Sequence, residues 1–108
     1  MRLPNADDAR ITESKLRNYV LDSHGRSPSK ARLFAALGYT QENWELLAHD
    51  LREQHLILEA LEGRYSPYGK TYEIIGELRG PKGRARIMSV WMIDTVASFP
   101  RFLTAHPV

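Results

Sequence analysis

Residues 70–94 read KTYEIIGELRGPKGRARIMSVWMID, and their pattern is the strongest indication of the fold class. Polar and apolar residues alternate on both sides of a Gly-Pro-Lys-Gly sequence, and β-branched and aromatic residues are frequent, which is typical of two strands joined by a tight turn. A two-residue turn at Pro81-Lys82 fixes one antiparallel register. The expected partners are Gly80 with Gly83, Ile74 with Ser89 and Tyr72 with Trp91. The stretch therefore predicts a long β-hairpin.

Alternation divides the residues of this hairpin between two faces. One face carries Tyr72, Ile74, Gly76, Ile87, Ser89, Trp91 and Ile93, and the other carries Glu73, Ile75, Glu77, Met88, Val90 and Met92. Because both faces mix apolar and polar residues, the sequence leaves open which face is covered.

Further strands are indicated on both sides of the hairpin. The period-two pattern begins near residue 56 and is interrupted by Pro67-Tyr68-Gly69 and by Ser98-Phe99-Pro100. Four strands fit, at about 57–65, 70–79, 84–94 and 101–106. Their short connections favour antiparallel neighbours, arranged as a meander.

The first half of the chain has helical patterns. Thr12 is a predicted N-cap for a helix from about Glu13 to Leu21, and Thr40 for one from Gln41 to about His55. Between them, Ser27-Pro28 begins a helix that Gly38 ends. The predicted fold class is α+β, with three N-terminal helices followed by a four-stranded antiparallel β-meander.

Length and composition restrict the classes of function. The chain has 108 residues, which predicts a single domain over 1–108, and it has no cysteine, which excludes disulfides, zinc-thiolate sites and thiol nucleophiles. His49 and His55 lie six residues apart, which is not the spacing of a zinc-binding pair, so both are predicted to be structural. No metal or cofactor is predicted.

The sequence also predicts where the protein is located. Without a signal sequence or a membrane-spanning stretch, a cytoplasmic protein is expected.

Charge is unevenly distributed along the chain. Residues 1–63 carry 8 Lys/Arg against 10 Asp/Glu, whereas residues 64–108 carry 7 against 3. The acids of the third predicted helix would repel a nucleic acid. Any RNA is therefore expected at the sheet and at residues 24–30, where basic residues are frequent.

Motifs in order along the chain resemble a family of small bacterial domains of unknown function. They are Leu3-Pro4-Asn5-Ala6-Asp7, Lys15-Leu16, Tyr19, Gly25-Arg26, Lys30-Ala31, Phe34, Leu37-Gly38-Tyr39, Pro67-Tyr68-Gly69, Tyr72, Gly80-Pro81, Gly83-Arg84, Val90-Trp91 and the closing stretch from Pro100 to Pro107. The resemblance runs nearly end to end.

The closing motif, together with helices that precede a four-stranded meander, also resembles the superfold of barnase, EndoU, colicin nuclease domains and RelE. That resemblance implies a metal-independent ribonuclease toxin that transfers phosphate to the RNA 2′-hydroxyl, held in check by a small antitoxin or immunity-type protein. It carries over one residue, Thr104 of the last strand. This chain departs from the family of small bacterial domains at two positions. His106 occupies the position of a tyrosine in that family, and Ser29 occupies the position of a frequent histidine.

Such cleavage needs proton-transferring groups and cations beside the phosphate. His24 and His106 are the predicted proton-transferring residues, and Thr104 is predicted to position the phosphate. Arg26, Lys30 and Arg101 are predicted to bind phosphate. Each of these side chains has a plainer alternative role, as a loop histidine, a solvated basic face or a residue of a terminal strand.

Ser89 and Trp91 share one face of the third strand and are predicted to bind an unpaired base. A core position is the alternative for Trp91. Tyr68 is a further stacking candidate, although a tyrosine in a turn often covers apolar surface.

The sequence thus predicts a toxin-like ribonuclease with RNA and a small cognate partner protein as its binding partners. Two alternatives stay open. One is a non-enzymatic protein-interaction module of a bacterial two-gene system, and the other is an RNA binder without catalysis.

Overall fold

The computed structural model describes residues 1–26 and 28–108, and its helical layer comes first along the chain. A 3₁₀ turn, Ala6–Asp8, precedes helix α1, Glu13–Lys15, which continues as a π-helical turn, Leu16–Val20. The Thr12 hydroxyl accepts a hydrogen bond from the Lys15 backbone N–H at 3.3 Å. The predicted N-cap of the first helix is therefore confirmed.

Helix α2, Pro28–Ala36, ends as predicted just before a glycine. Gly38 has a φ of 101°, a left-handed conformation that glycine adopts without steric cost. The predicted cap of this helix, Ser27, lies outside the described residues.

Helix α3, Trp44–Asp50, continues as a π-helical turn, Leu51–His55. It begins three residues later than the sequence predicted. The Thr40 backbone N–H donates to Asn43 Oδ1 at 2.7 Å, and the Asn43 backbone N–H donates to Thr40 Oγ1 at 3.3 Å. This reciprocal pair holds residues 40–43 in a turn before the helix starts.

The sheet comprises β1 Leu61–Ser66, β2 Gly69–Arg79, β3 Arg84–Asp94 and β4 Pro100–Pro107. Its strand order is β1-β2-β3-β4, and all neighbours are antiparallel. The Gly80 N–H donates to the Gly83 carbonyl at 2.8 Å, and Ile74 pairs with Ser89. The mixed α+β class and the hairpin register are thus confirmed. The first strand begins four residues later than predicted, because residues 56–60 form a turn and a bridge to Arg2.

Burial shows which face of the sheet the helices cover. The covered face contributes Tyr72, Ile74, Leu78, Ile87, Ser89, Trp91, Phe102 and Ala105 to the interior. On the other face, glycine apart, none of the described strand residues is buried. We call it the open face. It includes Glu73, Ile75, Met88, Val90, Met92 and His106.

The N-terminal segment forms hydrogen bonds with the start of β4 and with the residues before it. The Asn5 side-chain amide donates to the Ser98 carbonyl, and Asn5 has a φ of 55°, which asparagine tolerates better than most residues. The Arg10 N–H donates to the Pro100 carbonyl, and the Phe102 N–H donates to the Arg10 carbonyl, both at 2.9 Å. The Leu-Pro-Asn-Ala-Asp motif therefore has a structural role here.

None of the helices in the part of the chain that the structure describes is long and apolar enough to cross a membrane.

Candidate functional site

A half-buried lysine joins the helical layer to β4. The Lys30 ammonium donates hydrogen bonds to the Tyr19 hydroxyl at 3.2 Å and to the Thr104 hydroxyl at 3.0 Å. Lys30 Nζ also lies 5.0 Å from the centre of the Tyr19 ring, within the range of a cation–π interaction. We call these three residues the Lys30–Thr104 cluster.

Each member of the cluster is held by a different element. Lys30 lies in the first turn of α2, and Tyr19 lies in the π-helical turn that follows α1. Thr104 lies beside a bulge in β4, where Leu103 has no partner in β3. The register pairs Thr104 with Val90 of the open face, and since β4 is an edge strand, Lys30 reaches the Thr104 hydroxyl at that edge.

The Lys30 ammonium has no carboxylate partner among the residues that the structure describes. The ion pairs found there use the Met1 amino group, Arg17, Lys70, Arg79, Arg84 and Arg101. A half-buried cation without a counter-charge attracts an anion more strongly than a fully solvated one does. An ammonium has three donors, of which two are used here, and the Thr104 hydroxyl keeps its own hydrogen. The cluster can therefore bind a phosphate oxygen.

His106 lies two residues beyond Thr104 on β4. It pairs with Met88 across the sheet and is half-buried on the open face. Two residues along a strand span about 7 Å, so an imidazole at this position can reach a group bound at Thr104. The structure thus brings two of the predicted site residues, Lys30 and Thr104, into contact, and His106 follows two positions along the same strand.

His24 and Arg26 lie apart from this group, in the loop before α2. Both are exposed, and the His24 backbone N–H donates to Asp22 Oδ1 at 2.9 Å. Among the described contacts, none joins the His24 side chain to the cluster or to His106. The exposed Arg26 guanidinium precedes α2 in the chain, where it can attract a phosphate group approaching Lys30.

Arg101 is already neutralised by a carboxylate. Its guanidinium donates two hydrogen bonds to Asp94, from Nε at 2.8 Å and from Nη2 at 3.2 Å. This pairing lowers the pKa of the Asp94 carboxyl and raises the pKa of the Arg101 guanidinium. A phosphate at Arg101 would have to compete with Asp94, so Arg101 is a weaker phosphate ligand than the sequence predicted.

Ser89 and Trp91 need a correction, because both side chains are 0% exposed. The Trp91 indole N–H donates to the Ser89 hydroxyl at 2.9 Å, and Ser89 Oγ lies 2.8 Å from His55 Nδ1. Buried polar groups need such partners, and these residues satisfy one another inside the core. Their burial argues against the predicted contact with a base and places them outside the candidate site.

His55 is buried with them, which confirms its predicted structural role. Its Nε2 lies 3.1 Å from the Gly76 carbonyl, which can only accept, so Nε2 carries the hydrogen. Nδ1 of the neutral ring then accepts the Ser89 hydroxyl hydrogen. Burial lowers the pKa of His55, which favours this neutral form.

Tyr19 is the cluster member that the sequence did not identify as functional. Its helical spacing with Leu16 and Val20 predicts a place on the apolar side of the first helix. A signal was present, because tyrosine brings a hydroxyl to the edge of such a stripe, unlike leucine or valine. Its proximity to Lys30 depends on how α1 and α2 pack, which local patterns do not encode.

Two further features were sought among the described residues, a metal site and a surface cleft, and neither involves this cluster. Among the described residues, no group of three or more His, Cys, Asp or Glu could hold a metal ion. A surface cleft of about 310 Å³ lies along the N-terminal segment, lined by residues between Arg2 and Asp8. The cleft and the cluster share no residue.

Comparison with known proteins gives one result. Residues 2–108 match the model of a family described as a domain of unknown function, DUF6883. No curated protein and no solved structure matches the chain.

Proposed function

We propose a function for a chain that belongs to the DUF6883 family: it is a ribonuclease that cleaves RNA at the Lys30–Thr104 cluster. In this reaction the RNA 2′-hydroxyl attacks the adjacent phosphate. The substrate supplies its own nucleophile, so the protein has to bind the phosphate, stabilise the added negative charge and move two protons.

One observation carries the proposal, namely the half-buried Lys30 ammonium that is hydrogen-bonded to two hydroxyls and has no described carboxylate partner. Cations placed where negative charge develops are typical of phosphoryl-transfer sites. A lysine with a merely structural role would more commonly be paired with an acid or extended into solvent.

The neighbouring residues have complementary roles in the proposal. Lys30 stabilises the charge on the non-bridging oxygens, and Thr104 donates a hydrogen bond that orients the phosphate. His106 transfers a proton, and Arg26 attracts the RNA backbone. Glu45 of α3 is exposed, and its negative charge would repel RNA, which leaves the basic regions for RNA.

The resemblance to toxin ribonucleases adds a second part to the proposal. A small cognate antitoxin or immunity-type protein would hold the activity in check in the cytoplasm. To do so by direct blockage, it would have to cover the cluster or the adjoining open face, where Ile75, Met88, Val90 and Met92 leave apolar atoms exposed.

The proposal is tested by comparing two lysine variants on a single-stranded RNA oligonucleotide. Lys30→Met should lower the cleavage rate by roughly 10²- to 10³-fold, the loss expected when one charge-stabilising donor is removed. Lys82→Met removes the same charge from the exposed β2–β3 turn and should leave the rate unchanged. Gel analysis of the RNA with time measures both rates.

Equal rates for the two variants would place cleavage away from Lys30. If the wild-type protein binds the oligonucleotide and leaves it intact, the chain is an RNA binder without catalysis. If it neither binds nor cleaves RNA, the protein-interaction alternative stands.

A further inference from the structure

Lys15 is a second half-buried lysine beside the Lys30–Thr104 cluster. Its Nζ lies 6.0 Å from the centre of the Tyr19 ring, and Lys30 Nζ lies 5.0 Å from the same centre. Resting on the proposed ribonuclease function, which places RNA at the cluster, we infer that Lys15 binds a second phosphate of the same strand. The site therefore takes a strand with at least two neighbouring phosphates, and a single phosphate group fills only part of it.

The start of α1 lies alongside β4. Arg10 forms a parallel bridge with Arg101, and the Phe102 N–H donates to the Arg10 carbonyl at 2.9 Å. The chain then enters α1, which packs against β4, as α2 does. Lys15 and Lys30 thus belong to two helices that both pack against the strand of Thr104.

The Tyr19 ring lies near both lysines. Lys15 and Tyr19 are four positions apart in one helical segment, which places their side chains on one side of it. Both ammoniums lie within the range of a cation–π interaction with the ring, so their separation is no greater than the sum of the two distances. A stacked nucleic-acid strand advances about 3.4 Å per phosphate, so neighbouring phosphates of one strand fall within that separation.

Neither ammonium is neutralised by an acid within the described ranges, residues 1–26 and 28–108. Glu13, the acid closest to Lys15 in the chain, forms its ion pair with Arg17 at 3.0 Å. Two positive charges held around one ring repel each other and raise the local positive potential. An anion that contacts both ammoniums offsets this repulsion, and neighbouring phosphates of a strand supply the two negative charges.

The test measures binding of a 2′-O-methyl RNA oligonucleotide, which lacks the attacking hydroxyl and cannot be cleaved by the proposed reaction. Fluorescence anisotropy gives its dissociation constant at several salt concentrations. Each phosphate that a protein neutralises on a single strand contributes about 0.7 to the slope of log affinity against log salt concentration. Lys15→Met and Lys30→Met should each lower the size of this slope by about 0.7, and the double variant should lower it by about 1.4.

Lys82→Met is the matched control, because it removes the same charge from the exposed β2–β3 turn. It should keep the wild-type slope. Lys15→Arg should keep it as well, since arginine retains the positive charge. Methionine preserves the apolar stem of lysine, so the packing on the Tyr19 ring is maintained in the Lys15 and Lys30 variants.

A wild-type slope for Lys15→Met would overturn the inference. An equal change of slope in Lys15→Met and Lys82→Met would also overturn it, since any surface charge would then have the same effect. If the slopes change as expected and the wild type leaves ordinary RNA intact, the proposed cleavage fails and the two-phosphate site stands. If the wild type does not bind the oligonucleotide, both fail.

Discussion

Among single residues, His55 is a titratable side chain that forms part of the core. It is fully buried and bonded to Ser89 and to the Gly76 carbonyl. Protonation would place a hydrogen on Nδ1, and the Ser89 oxygen would then face donors from both His55 and Trp91. The folded state therefore resists protonation of His55, in agreement with its lowered pKa.

This arrangement predicts a loss of stability in acid. The unfolded chain takes up the His55 proton near pH 6.5 and the folded chain does so at lower pH, so stability is present above pH 6.5 and falls as the pH drops. The free energy of unfolding should decrease through this residue by up to about 2 kcal/mol at pH 5. Urea unfolding at pH 7.5 and pH 5 measures it.

The contribution of His55 is isolated by a variant and a control. His55→Gln should be less stable at pH 7.5 and should lose less on acidification than the wild type. His49→Gln, in the exposed part of α3, should keep the wild-type pH dependence. The same pH dependence in all three proteins would contradict the account.

At the scale of elements, the tip of the β2–β3 hairpin is fastened to the end of α2. The Lys82 N–H donates to the Leu37 carbonyl at 2.9 Å, and the Tyr39 hydroxyl donates to Asp50 at 2.6 Å and lies 3.1 Å from the Arg79 carbonyl. Burial raises the pKa of Tyr39, so the phenol stays protonated as this bond requires. The hairpin and the helical layer are thus held in one arrangement.

The two glycines of the turn should respond differently to alanine. A Cβ at Gly80 would lie 2.2 Å from the Leu37 carbonyl oxygen, whereas a Cβ at Gly83 would come no closer than 3.8 Å to a neighbour. Because the obstacle at Gly80 is backbone, Gly80→Ala should destabilise the protein by about 1–3 kcal/mol. Gly83→Ala should change stability by less than about 0.5 kcal/mol.

Thermal unfolding of the two variants measures this difference. Equal melting temperatures would mean that α2 does not approach the turn as closely as described here.

For the molecule as a whole, local sequence patterns predict most helices and strands, but they predict only some residues of the candidate site. The register of residues 70–94 followed from one turn, and the end of α2 followed from Gly38. The start of α3 was missed because Thr40 and Asn43 cap each other in a turn, although either residue alone is typical of an N-cap.

The site was predictable in part. Thr104 was identified by resemblance and Lys30 by charge, and the structure places them in contact. Ser89 and Trp91 were misassigned because alternation identifies a shared face and does not say whether that face is covered. Tyr19 was missed because its neighbours come from elements distant in sequence.

The function proposed for this chain is cleavage of RNA at the Lys30–Thr104 cluster. The most direct test incubates purified wild-type protein and Thr104→Val with a single-stranded RNA and identifies product ends by mass spectrometry, after confirming equal melting temperatures. We expect 2′,3′-cyclic phosphate ends from the wild type, and a rate for Thr104→Val that is lower by roughly tenfold to hundredfold through loss of one hydrogen bond to a charged group. Intact RNA with the wild type, or equal cleavage by both proteins, would contradict it.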